Sequence, residues 1–218
     1  MENHFNSWHR AMLEYGVSIK PNDYYLLEGL RVFELPKRFF EMYQTKPVDE
    51  PQILRNKEQY YLEEHRFALY PGVQELIDLL RSKRIPIGVV TAGLSERLKH
   101  STPAGFLGTF NAVVTGDDTS EGKPSPAPYL KAAEKLNVKP EACVVVENAP
   151  LGIQAAKRAG SYCIAICSTL TKEHLKEADE VVDSFACLKD SQKIKQLLAT
   201  GIFSKSPSPS RSRGRGLG

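Results

Sequence analysis

The chain has 218 residues, 41% of them hydrophobic, enough to bury a proper core in one domain with a sizeable insertion or in two small ones. Its formal charge of +3 comes from one end: removing Lys205, Arg211, Arg213 and Arg215, which lie in an acid-free stretch from residue 204 onward, takes the balance to −1. The folded body is therefore near neutral, its basic isoelectric point says little about a ligand, and no apolar run or leader-like start points to a membrane protein.

Cys143, Cys163, Cys167 and Cys187 form no Cys-x-x-Cys pair, so buried thiols in a reducing compartment are expected in preference to disulfides or a metal site, and with them a cytoplasmic location. Phe5, Trp8, Met12 and Leu13 recur at helical spacing over residues 3–15, and Gly16 ends that helix. Further helices are predicted over residues 22–30, 35–43 and 49–69, the last with Asp49 as N-cap and Pro51 in its first turn. Residues 1–68 thus read as all-helical.

The pattern changes at Tyr70. Val73, Leu76, Ile77 and Leu80 mark an amphipathic helix, and residues 85–90 read as a buried strand ending at Thr91. Strands follow at 112–114, 143–146 and 162–166, with a last edge strand at 180–182; helices are predicted at 126–136 and 190–199. The valine-rich run at 143–146 has no polar alternation, as expected of a strand buried on both faces. Leu151, Ile153, Ala155, Ala156 and Ala159 then fill a short apolar helix between Pro150 and Gly160. Repeated strand–helix alternation predicts an α/β fold, a Rossmann-like parallel sheet with helices on both faces, over residues 69–200. The helical first third is a cap on that sheet. The Ser-, Pro-, Gly- and Arg-rich residues 201–218 are expected to be disordered, with a solvated terminus favoured over contact with nucleic acid.

Chemistry is expected just outside the carboxyl ends of the strands. Thr91 brings a hydroxyl there, and the turn Thr91-Ala92-Gly93 is expected to open the next helix with free N–H groups for an anion. Lys123 sits in Gly-Lys-Pro-Ser-Pro, where two prolines stiffen the loop around a cation. Glu147 and Asn148 supply oxygens suited to Mg²⁺. Singly, each is more simply a cap, a solvated charge or a surface acid; a hydroxyl, a lysine and an acid in that order, each after a predicted strand, form a more specific set.

Tyr70-Pro71-Gly72, Val90-Thr91-Ala92, Gly116-Asp117-Asp118, Gly122-Lys123-Pro124-Ser125-Pro126 and Val146-Glu147-Asn148-Ala149-Pro150-Leu151-Gly152 together resemble the haloacid dehalogenase (HAD) superfamily, most closely its β-phosphoglucomutase-like phosphatases with a helical cap. The resemblance implies phosphoryl transfer from a small phosphorylated metabolite through an aspartyl-phosphate, with Mg²⁺ as cofactor. It also implies that Thr91 and the Ala92 N–H hold phosphate, that Lys123 neutralises charge, and that Glu147 and Asn148 contribute to the metal site. In that family a first strand, central in the sheet, ends in Asp-x-Asp, whose aspartates act as nucleophile and general acid/base. No Asp-x-Asp occurs in this sequence, and Asn148 stands where a second acid is usual.

The chain is therefore expected to be a monomer lacking the central first strand, inactive alone and weak in Mg²⁺ binding. It is further expected either to be poorly stable or to have its flanking strands close up. The alternative is a non-catalytic phosphate-binding or regulatory module. Substrate identity is not legible; His4, His9 and Arg10 are conceivable contacts, with a solvated or interface role expected for each.

Overall fold

The computed structural model describes residues 1–200, so the expected disorder of the tail lies outside the described residues. Helices α1 (Glu2–Leu13), α2 (Pro21–Leu27), α3 (Leu35–Met42) and α4 (Glu50–Glu64) make the first layer. Trp8, Ala11 and Met12 project from one face of α1, as the i, i+3, i+4 spacing requires, into a core shared with Phe39, Phe40 and Ile53. Trp8 meets Phe39 edge to face, with ring centroids 5.7 Å apart. Asp49 caps α4 by accepting the Gln52 N–H at 3.1 Å. The helix stops at Glu64, five residues short of the predicted end: His65 turns extended and donates from Nε2 to the Ser101 carbonyl at 2.7 Å, drawing the chain toward the sheet layer.

That layer contains β1 (Gly88–Val90), β2 (Ala112–Val114), β3 (Val144–Glu147), β4 (Tyr162–Ile166) and β5 (Glu180–Val182), every pair parallel. Helix α5 (Val73–Ser82) precedes the strands, and α6 (Ser95–Ser101), α7 (Ala127–Leu136), α8 (Pro150–Arg158), α9 (Lys172–Leu175) and α10 (Gln192–Thr200) lie between and after them. This is the predicted α/β architecture. The sheet, however, is in two pieces, β2-β1 and β3-β4-β5, with β5 at the edge as expected.

Between the facing edges of β1 and β3 lies an apolar slot of about 460 Å³, lined by residues such as Leu76, Ile77, Ile87, Val89, Val144 and Leu197. The expectation that the flanking strands close up is not met. Helix α7 packs on β1 and β2, α8 packs on β3 and β4, and the two helices touch each other, so the covering layer fixes the spacing of the sheet halves.

The slot also corrects two details. Val146, predicted to be buried on both faces, is 37% exposed because β3 ends its sheet. Strand β1 covers three residues instead of the six predicted: Pro86 has no N–H, and the Ile87 N–H donates to Asn111 Oδ1 at 3.0 Å. Of the four cysteines only Cys163 is buried; Cys143, Cys167 and Cys187 are half-buried, and all are free thiols.

Candidate active site

The carboxyl ends of β1 and β3 open into a cavity of about 280 Å³ that the helical layer covers. Thr91, Ala92, Lys123, Glu147 and Asn148 all line it, so residues separated by as many as 57 positions share one cleft, between the sheet and α1, α2 and α4. Val90 and Val146 line both this cavity and the slot, so the two adjoin at the ends of β1 and β3; Met1 lines the cavity.

Thr91 is tied to β2 through its N–H, which donates to the Val114 carbonyl at 2.9 Å. Its Oγ1 accepts the Gly93 N–H at 3.0 Å, closing a tight turn. The predicted direct step from Thr91 into a helix is therefore replaced by this turn, and α6 begins only at Ser95. The Gly116 N–H donates to the Gly93 carbonyl at 2.8 Å; a side chain on Gly116 would overlap the Ala92 carbonyl, so two strand-end turns touch only because Gly116 has no Cβ. Asp117 and Asp118 both accept from the Thr115 hydroxyl, at 2.6 and 2.7 Å, and hold that loop without entering the cleft.

Lys123 and Glu147 are both buried and form an ion pair through Nζ and Oε1. Tyr129 of α7 also donates its hydroxyl to Oε1, while Oε2 accepts the N–H groups of Asn148 at 3.0 Å and Ala149 at 3.4 Å. Burial alone would raise the Glu147 carboxyl, but the Lys123 charge and this set of donors hold it below the ordinary carboxylate range. Burial and the adjacent Glu147 charge push the Tyr129 phenol well above its ordinary value, so it stays a donor. Gly152 leaves room for the cluster, because a Cβ there would overlap the Glu147 carboxylate.

The helical layer contributes its own groups. Glu28, just after α2, accepts from Asn148 Nδ2 at 3.3 Å, and burial lifts its carboxyl to about 7 despite that bond, with the Glu147 charge adding to the rise. Lys57 of α4 is fully buried, paired with Glu58 at 2.8 Å and set 5.0 Å from the Tyr61 ring centre. Burial, then the charge of Arg97, lower it to about 8. His4 lines the cavity and stacks on Tyr61, with centroids 4.2 Å apart. His9 instead lies 2.9 Å from the Ile19 carbonyl and Arg10 pairs with Glu63 at 3.3 Å, both away from the cleft.

Glu28, Lys57, Arg97 and Tyr129 also belong to the site, and nothing in the local sequence pattern marks them; Gly29 beside Glu28 is the one local sign of a close approach.

Glu147 and Asn148 do not make a cation site by themselves. Both Glu147 oxygens are engaged by Lys123, Tyr129 and two backbone N–H groups, and no cluster of three or more His, Cys, Asp or Glu side chains suited to a metal occurs among the described residues.

A parallel sheet with a hydroxyl, a lysine and an acid at its strand ends, beneath a helical layer, defines a HAD-like fold and site. The chain belongs to the haloacid dehalogenase-like hydrolase family, whose model matches residues 2–166. It is 43% identical over 109 residues to validoxylamine A 7'-phosphate phosphatase of Streptomyces hygroscopicus subsp. limoneus, covering 50% of this chain and 51% of that one. It is 40% identical over 91 residues to a phosphorylated carbohydrates phosphatase of Thermotoga maritima, covering 41% and 42%. The crystal structure of β-phosphoglucomutase from Clostridium difficile superposes with a TM-score of 0.75 at 25% identity, covering 90% of this chain and 89% of that one. The chain spans about half the length, or less, of these curated relatives. Among the described residues no helix is long and apolar enough to cross a membrane.

Proposed function

We propose that the chain carries the phosphate-holding half of a HAD-type phosphatase for a small phosphorylated metabolite, with residues 1–68 as its cap and 69–200 as its core. The observation that supports this most is the single cleft lined by Thr91, Ala92, Lys123, Glu147 and Asn148 at the strand ends. There Thr91 and the Ala92 N–H would receive the phosphoryl oxygens, and Lys123, already fixed by Glu147, would offset their charge.

The attacking carboxylate is not among these residues. In the family mechanism an aspartate oxygen bonds to phosphorus as the ester oxygen leaves with a proton from a second aspartate, and water then releases phosphate. An apolar strand bearing such an Asp-x-Asp would fit the slot between β1 and β3, whose lining shares Val90 and Val146 with the cleft. In the 218-residue chain Mg²⁺ would bind weakly; acids on such a strand would add negative charge to that of Glu147, which Lys123 already offsets. The second reading, a phosphate-binding module without catalysis, is favoured by the full engagement of Glu147.

The two readings part on one assay. A panel of phosphate esters is incubated with Mg²⁺ and either the 218-residue chain or the chain extended before Met1 by a short apolar strand ending in Asp-x-Asp. Turnover by the extended protein alone, lost on Lys123→Ala, is expected. Turnover by the unextended chain would refute the missing nucleophile; turnover by neither, with phosphate still bound, would favour the module.

A further inference from the structure

We infer that Arg97 is a further phosphate-binding residue, whose guanidinium donates to the phosphoryl group held at Thr91. The inference rests on the phosphatase reading and adds to it a group that no strand end supplies.

Arg97 belongs to α6 of the sheet layer, yet its side chain lines the cavity and is only 13% exposed. Gly93 makes room for it. A Cβ on that glycine would stand 1.7 Å from Arg97 Nη2 and 2.8 Å from Cζ, so the guanidinium takes the space where a side chain of residue 93 would begin. Gly93 is also the residue whose N–H donates to Thr91 Oγ1 at 3.0 Å. The hydroxyl and the guanidinium thus sit against the same residue, close enough for one phosphoryl group to touch both.

The protein makes little use of the Arg97 donors. The nearest carboxylate oxygen, Glu58 Oε1, is 3.7 Å from Nη1, beyond hydrogen-bond length, and already accepts from Lys57 at 2.8 Å. The guanidinium has not closed onto that acid even though Glu58 Oε2 is buried and unpaired. Nη2 and Nε are the nitrogens nearest Gly93, so the fork that fits an oxyanion side-on is turned from the carboxylate to the phosphate turn.

Charge favours the same ligand. Lys57 and Arg97 share one acid, Glu58, so this wall of the cavity is net positive. Lys123 shares its charge with Glu147, and a phosphate dianion at Thr91 therefore calls for a second cation. Met1 lines the cavity too, and its ammonium adds charge there; Arg97 differs in presenting a planar fork against a fixed turn.

The test measures binding to the full chain, so it does not depend on turnover. Inorganic phosphate is titrated calorimetrically into the wild type, Arg97→Met, Arg97→Lys, Gly93→Ala, the Gly93→Ala/Arg97→Met double variant and Lys123→Ala. Near-ultraviolet circular dichroism establishes that each is folded, and Met1 is the same in all. Arg97→Met leaves Glu58 paired with Lys57, and should bind phosphate roughly tenfold or more weakly, the scale of a hydrogen bond between ionised groups. Arg97→Lys should keep part of the affinity through charge alone. Gly93 has no positive φ, so the methyl of Gly93→Ala meets Arg97 first and displaces it with every charge retained. That variant should lose as much affinity as Arg97→Met, and the double variant no more than either. Wild-type affinity in Arg97→Met or in Gly93→Ala, or losses that add in the double variant, would overturn the inference while leaving the phosphatase reading intact. So would a loss in Arg97→Met confined to a bisphosphate ester, since the guanidinium would then read a second anionic group. Failure of phosphate to bind the wild type in a Lys123-dependent way would sink that reading and the inference with it.

Discussion

The helical layer and the sheet layer are built to different completeness. In the first, Trp8, Met12, Phe39, Phe40 and Ile53 are almost wholly enclosed by one another. In the second, a valine in the middle of a strand is more than a third exposed, and an apolar slot separates β1 from β3. Helices satisfy their own backbone hydrogen bonds, so four of them can close a core without help from elsewhere. A strand needs a neighbour on each edge, and β1 and β3 each have one.

This contrast can be tested by mutation. Phe39→Ala, in the closed layer, should cost ~3–5 kcal/mol of stability in urea unfolding, because the cavity has no room to relax. Glu147→Gln should cost a similar ~3–5 kcal/mol, since it leaves the Lys123 ammonium buried without its counter-charge; Lys123→Met in the same background should recover much of it. A small effect of Phe39→Ala would show the helical layer to be no tighter than the sheet layer, and a small effect of Glu147→Gln would show that the ion pair does not hold the strand ends together.

The helical layer has one point of tension, Lys57. Its folded pKa near 8 lies below the ordinary 10.5, so the folded state binds fewer protons between those values and stability should rise with pH across that window. Lys57→Met should therefore stabilise the protein at pH 7 by on the order of 3 kcal/mol, with the gain fading as pH approaches 10.5; Glu58 keeps Arg97 as a partner at 3.7 Å. A gain independent of pH would show that burial of charge is not its source. The smallest effect is expected at the open strand: Val146→Ala should cost under ~1 kcal/mol in the unextended chain, and more once a strand fills the slot. Equal cost in both proteins would place that strand elsewhere.

The sequence alone determined the element order, the parallel sheet and the group of strand-end residues that come to line one cleft, because these depend on local periodicity and on turns after strands. Valine runs, the Pro150 helix start and the Thr91, Lys123 and Glu147 positions were all legible in that way. Only the tertiary structure decided that the sheet halves stand apart, that α4 stops at Glu64, that Tyr129 and Gly152 fix the Glu147 carboxylate, and that Glu28 comes down on Asn148. Each of these depends on which distant surfaces meet. Helix α7 holds a spacing that no strand sequence records, and a buried acid shows its role only when the groups around it are in place.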